Sequence, residues 1–247
     1  MSTTLLKPKN SSGIMKPGTG DPIKRACEIL VTVATDRSLT YRCLSRIFTY
    51  PDLELVDFLQ SGELVIQMKQ ITTWLGEDQK ILLLDLEKLV SSAKVPLDVL
   101  QKDYHRFFEM GVERISPRES SYRWKNAGAM AQSESDLRQL LNVQYKSIGV
   151  SCESGIEDHI AVELEFLAFL CEQESLRWST GSTEAARNLR SQERSFVDNH
   201  IACWLPEFCF SVNKRYHHTI YGQAAVFCDR WLDLDHGQSY RTLMAFE

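Results

Sequence analysis

Residues 151–178 read SCESGIEDHIAVELEFLAFLCEQESLRW, and this stretch decides the fold class. Ile160, Leu164, Leu167 and Cys171 fall at i, i+4, i+7 and i+11, while Val162, Phe166, Phe169 and Leu170 spread the apolar surface around most of the cylinder. A helix apolar on so many sides belongs in a core. Ser154 and Glu157 have the S-x-x-E spacing of a capping box, which sets the expected helix start at about Ser154. Polar positions are confined: Asp158 and Glu165 are seven apart on one line, and His159 and Glu163 are four apart on the next. The expectation is a narrow acidic strip on a buried helix.

Helical patterning continues on both sides. Downstream, Thr180-Gly181-Ser182 reads as a turn, a helix runs from Thr183 to Trp204, Pro206 kinks or restarts it, and two further helices cover 207–218 and 219–233. Upstream, Ser133-x-x-Asp136 opens a helix through Ile148 that Gly149 closes. Residues 112–132 lack a helical period and contain Ser121, Tyr122 and Trp124; long connections of this kind are often functional. Before them, Val95-Pro96 starts a helix that ends at Gly111 and turns Leu97, Leu100, Tyr104, Phe107 and Phe108 inward. Leucine-rich 77–93 follows segments 52–59 and 63–75, with Gly76 as a stop.

Asp21-Pro22 reads as N-cap and first helical residue; stripes at 23–34 and 39–48 are separated by a break near Asp36, and Tyr50-Pro51 ends the second. Residues 1–20 mix Ser, Thr, Lys, Pro and Gly without periodicity and read as a disordered tail. No alternating strand pattern, hairpin signal or solenoid repeat occurs. The expected architecture is all-α, a single helical domain of about ten helices over 21–237, with a C-terminal tail at 238–247.

Composition narrows the function. The net charge of −5 argues against general nucleic-acid binding, which needs a basic face to displace phosphate counterions. No stretch reaches the ~18 uninterrupted apolar residues of a membrane span, and the first twenty residues lack the apolar core of a signal peptide. Seven scattered cysteines without a C-x-x-C pair read as reduced core thiols of a cytosolic protein.

Asp158-His159 is the sharpest local feature, although Glu157 and Asp158 also suit the dipole of a first helical turn. No G-x-S-x-G, P-loop or H-E-x-x-H pattern accompanies it, so no catalytic residue is assigned and the chain reads as a non-enzyme. His159, His200 and His217-His218 match no familiar metal-ligand spacing, and neither a metal nor a cofactor is assigned. Tyr104, Phe107 and Phe108 read as core. Tyr122 and Trp124 either line a peptide groove or pin their loop to the bundle.

Several pieces form a familiar series. Leu44-x-x-Ile47-Phe48-x-Tyr50-Pro51, Tyr104-His105-Arg106-Phe107-Phe108, Ser120-Ser121-Tyr122, Asp158-His159-Ile160 leading into Glu163-Leu164-Glu165-Phe166-Leu167, and His200 through Phe208 occur in order. In order and spacing they resemble the TorD/DmsD/NarJ family of cytoplasmic chaperones dedicated to molybdoenzymes, over about residues 38–233. The resemblance implies an all-helical protein that binds the twin-arginine signal peptide, or another N-terminal segment, of an apo molybdenum-enzyme catalytic subunit. Export then waits until the molybdopterin cofactor and partner subunits are in place.

It also implies that Tyr122, Asp158 and His159 lie at the client site, and Trp124, Glu157, Glu163 and Glu165 are expected beside them as aromatic and carboxylate partners for a cationic, apolar segment. The family commonly has Glu and Pro just before Asp-His; here Ser154-Gly155-Ile156-Glu157 stands instead. Neither nucleic acid nor membrane insertion is expected, and the molecule is a monomer or, given the long connection, a domain-swapped dimer. The alternative function is a helical protein–protein adaptor.

Overall fold

Apolar side chains on nearly every side of the helix after His159 force the other helices to pack around it. The structure, a computed structural model, describes residues 22–62, 64, 66, 79–123, 133–152 and 154–237. Its helices are α1 (Pro22–Ile47), α2 (Leu53–Gln60), α3 (Gln79–Ser92), α4 (Leu97–Tyr104), α5 (Ser120–Arg123), α6 (Glu134–Ser147), α7 (Ile160–Ser179), α8 (Thr183–Asn199), α9 (Leu205–Tyr216) and α10 (Ile220–His236). The fold is all-α, and no strand occurs among the described residues. Predicted segment 63–75, Trp124 and both tails lie outside, or almost wholly outside, the described residues.

Ile160, Leu164, Leu167 and Cys171 are all fully buried, as their spacing predicts. α7 makes its most extensive contact with α1 and packs against α8 on another side; α9 and α10 form an antiparallel hairpin whose second helix meets α3. Two hydroxyls set the register of α1 on α7: Ser38 Oγ donates to the Ala168 carbonyl at 2.8 Å and Ser45 Oγ to the Ala161 carbonyl at 2.7 Å.

The expected break near Asp36 does not occur, and α1 is continuous. The polar residues there are met by partners rather than by solvent. Arg37, 2% exposed, donates to Glu174 at 2.7 Å, to Asp235 at 2.6 Å and to Glu193, so one guanidinium ties α1 to α7, α8 and α10. Arg190 adds a second cation on Glu193 and Asp235, while burial pushes the Glu193 carboxyl up to about 8 and Arg37 opposes that rise. Two cations then face two carboxylates and one acid that favours its proton, a balance of charge that offsets part of the cost of burial.

α4 continues as a π-helical turn, His105–Glu109, in which the Met110 amide donates to the His105 carbonyl at 2.7 Å. The wider turn brings two sequential residues to the core: Phe107 stacks on Tyr216 at 3.6 Å and Phe108 on Phe208 at 6.0 Å. Ser133 caps α6 by accepting from the Asp136 amide at 3.1 Å, as predicted. The helix expected to reach Trp204 instead stops at Asn199 and a 3-10 turn, Ile201–Cys203, leads into α9, where Pro206 occupies the first turn. Proline lacks an N–H, and a first turn is where that loss costs nothing.

Candidate functional site

The stretch before α7 does not form the expected capping box. Gly155 adopts a left-handed φ of +96°, which turns the chain before Glu157 and removes Ser154 from the helix axis. Glu157 folds back to accept from the Gly155 amide at 2.9 Å, and the helix begins only at Ile160. His159 is the cap: its Nδ1 accepts from the Ala161 amide at 3.2 Å. Asp158 and His159 therefore precede the helix and do not continue its polar lines.

Asp158 is fully buried and already has its partners. Arg118 Nη1 donates to Oδ1 at 3.0 Å, the Ser120 amide approaches Oδ2 at 3.4 Å, and the Asp158 carbonyl accepts from the Glu119 amide at 2.9 Å. An isolated antiparallel bridge pairs Arg118 with His159, and the Ile160 amide donates to the Pro117 carbonyl at 2.9 Å. Residues 117–123 thus form a strap across the start of α7; part of the connection read as aperiodic is the short helix α5.

Behind the strap, Glu119 is fully buried between the Arg123 guanidinium and His200, whose Nδ1–H donates to the carboxylate at 3.0 Å while Nε2 meets the Gln144 amide at 3.1 Å. Glu163 is also fully buried and accepts from the Trp204 indole N–H at 3.1 Å. Burial, reinforced by Glu119, pushes its carboxyl well above the usual range, favouring the protonated form. Burial likewise lowers His159 to about 4, with Arg118 adding to the effect and Asp158 opposing it, so the imidazole is neutral near pH 7. Its Nε2 lies 3.4 Å from the Tyr104 hydroxyl, and Tyr50 reaches His105 Nε2 at 3.1 Å on the same side.

The expected acidic strip is therefore not a surface feature. Asp158, Glu157 and Glu163 are buried, and Glu165 alone of the four faces solvent, 3.4 Å from the Nε of Arg42. Tyr122 is buried too: its hydroxyl donates to the Ser116 carbonyl at 2.9 Å and its ring lies 5.4 Å from Trp204, so it holds the strap to the bundle. Trp124 lies outside the described residues. The sequence reading passed over Arg118 and Glu119, and it weighed His200 as a metal ligand and as the first residue of a family motif, not as a partner of Glu119. Their signal was an ionic pair directly after Pro117 in a stretch with no helical period to place it on a solvated face.

Beside the first turn of α7, where Ala161 and Val162 line it, a groove of about 510 Å³ runs between α1 and α7. Val162, Phe166 and Phe169 supply apolar wall, and Arg42, Arg46 and Glu165 stand among its lining residues. Arg42 is shared by Glu165 and Glu172, the latter at 3.0 Å, and Arg46 pairs with Asp52. Among the described residues no cluster of three or more His, Cys, Asp or Glu is arranged to hold a metal ion, and no helix is long and apolar enough to cross a membrane.

Fold and site together define a class: an all-α bundle whose buried helix starts under a polar strap and opens onto an apolar surface groove. Residues 77–210 match the family described as nitrate reductase delta subunit, and the chain belongs to that family. The selenate reductase assembly chaperone protein of Thauera selenatis is 34% identical over 113 residues, 45% of this chain and 56% of that protein. The chlorate reductase assembly chaperone protein of Ideonella dechloratans is 32% identical over 114 residues, with the same two shares. The perchlorate reductase assembly chaperone protein of Dechloromonas aromatica is 22% identical over 204 residues, 80% of this chain and 87% of its own. The chain thus spans little more than half the length of the first two relatives.

Proposed function

We infer that the chain is an assembly chaperone for the catalytic subunit of a molybdenum oxidoreductase. It acts by binding rather than by catalysis, in the cytoplasm, and holds the apo subunit through an N-terminal segment, such as a twin-arginine signal peptide, until the cofactor is inserted. The observation that carries this reading is the open groove between α1 and α7, with Val162 and Phe169 partly exposed on its wall. An extended or helical client segment buries its apolar side chains there.

The rim suits the cationic part of such a segment. Glu165 and Glu172 share one guanidinium, Arg42, and all three are roughly half exposed. A client arginine at this rim gains a carboxylate partner without disturbing a buried pair. The relatives named as assembly chaperones of selenate, chlorate and perchlorate reductases support an oxyanion reductase as the client. Ordering a flexible segment on binding holds affinity on the order of micromolar to high nanomolar.

Co-purification tests the reading. The tagged full chain, co-expressed with the molybdoenzyme catalytic subunits of its own organism, is expected to retain one of them in its cofactor-free form. Val162→Glu is expected to weaken capture by about tenfold, because it places a carboxylate on the apolar wall, while circular dichroism stays unchanged. Undiminished capture by this variant would remove the groove as the site; no capture by the unaltered chain would remove the chaperone reading.

A further inference from the structure

We propose that Arg42 sets the selectivity of the groove: in the chain alone it holds the two acids of the rim, and a basic side chain of the client takes its place there. This deepens the reading above and rests on it, since it needs the groove to be the client site. Glu165, Phe169 and Glu172 stand at i, i+4 and i+7 and therefore share one face of α7. Arg42 comes from α1 on the opposite wall and meets both acids, its Nε 3.4 Å from Glu165 and its Nη2 3.0 Å from Glu172. The guanidinium thus reaches from one wall to the other at the level of Phe169, an apolar residue of the groove lining.

The charges at this place do not balance. Two carboxylates share one cation, so the set carries one net negative charge that a second cation would neutralise. The side chains of Arg42, Glu165 and Glu172 are 44%, 51% and 53% exposed, and ion pairs this open to water are weak, so exchanging one guanidinium for another costs little. Arg37, earlier on the same helix, shows the contrast: it is 2% exposed and closed in by Glu174, Glu193 and Asp235. That set cannot release its arginine to water, whereas the rim set can. The bonds from Ser38 and Ser45 to the α7 backbone lie on either side of Arg42 in the chain. They keep α1 and α7 in register when Arg42 turns away, so the exchange moves a side chain and not a helix.

Selectivity follows from the exchange. A segment bearing a basic residue gives Glu165 or Glu172 a new partner, frees Arg42 to swing into solvent and uncovers Phe169 for its own apolar side chains. A neutral apolar segment has nothing to offer the acids and must lie against Arg42 where it stands. An acidic segment meets the net negative charge of the rim. Arg42 thereby ranks basic segments above neutral ones and neutral ones above acidic ones.

Peptide binding to the full chain tests this. The probe is the N-terminal peptide of the subunit retained in co-purification, made as such and with its lysines and arginines replaced by glutamine. The unaltered chain is expected to bind the native peptide about fivefold more tightly than the glutamine form. Arg42→Gln is expected to tighten the native peptide by about threefold and to leave the glutamine form unchanged; the gain is expected to vanish when Glu165→Gln and Glu172→Gln are added. Arg42→Lys, a point charge that does not bridge two acids as a guanidinium does, is expected to give a smaller gain, and it serves should Arg42→Gln fail to fold. Native peptide bound no more tightly by the folded variant, a gain shared by the glutamine form, or a gain that survives loss of both acids would each overturn the exchange and leave the chaperone reading standing. A retained subunit whose peptide does not bind, or binds equally well in its glutamine form, has the same consequence. A chain that retains no subunit overturns the chaperone reading itself, and the exchange with it.

Discussion

Asp158 and His159 are adjacent in the chain and have different physical tasks. Asp158 is a buried counter-ion for Arg118, and removing it leaves the Ser120 amide without that acceptor, while Arg118, 30% exposed, keeps the Gly155 carbonyl and solvent. Asp158→Ala is therefore expected to cost stability, about 1–3 kcal/mol in urea unfolding, and its effect on client binding has to be read against that loss. His159 is a neutral cap. Its folded midpoint, about 4, lies below the ordinary value of 6.5, so the folded state takes up a proton less readily than the unfolded chain. Stability from this ring is full above pH 6.5 and is lost as pH falls toward 4, by about 1–2 kcal/mol between pH 7.5 and 5. His159→Asn keeps an acceptor for the Ala161 amide, and its urea midpoints should lack this pH dependence.

At the scale of elements, close approach and local widening shape the bundle. A Cβ on Gly222 would lie 2.2 Å from the carbonyl oxygen of Tyr216, so the end of α9 and the start of α10 meet backbone to backbone. Gly222→Ala cannot be absorbed by a side-chain rotation and is expected to cost about 2–3 kcal/mol, read as a fall in melting temperature. The π turn after Tyr104 shows the opposite device, a widened helix that buries both Phe107 and Phe108. Helix identity was legible in both places from apolar spacing. Neither the close contact nor the widening was, because each depends on which surface lies opposite.

For the whole molecule, Arg37 is the tie that a helix-by-helix reading misses. Its guanidinium gathers carboxylates from three other helices, so Arg37→Ala leaves Glu174 without its cation and Glu193 and Asp235 with Arg190 alone. A loss of about 3–5 kcal/mol is expected in chemical denaturation, with all helices melting together. The all-α class, the core stripe of α7 and the Ser133 cap were fixed by period and spacing, which are local properties of the chain. Where α7 starts, the continuity of α1 through Asp36 and the burial of Asp158, Glu157, Glu163 and Tyr122 were decided by partners far away in sequence. A carboxylate in an apolar run reads alike whether it meets solvent, as Glu165 does, or an indole N–H, as Glu163 does. Period and spacing place a side chain on its helix; only the packed neighbours decide whether its charge faces water or is held by another residue.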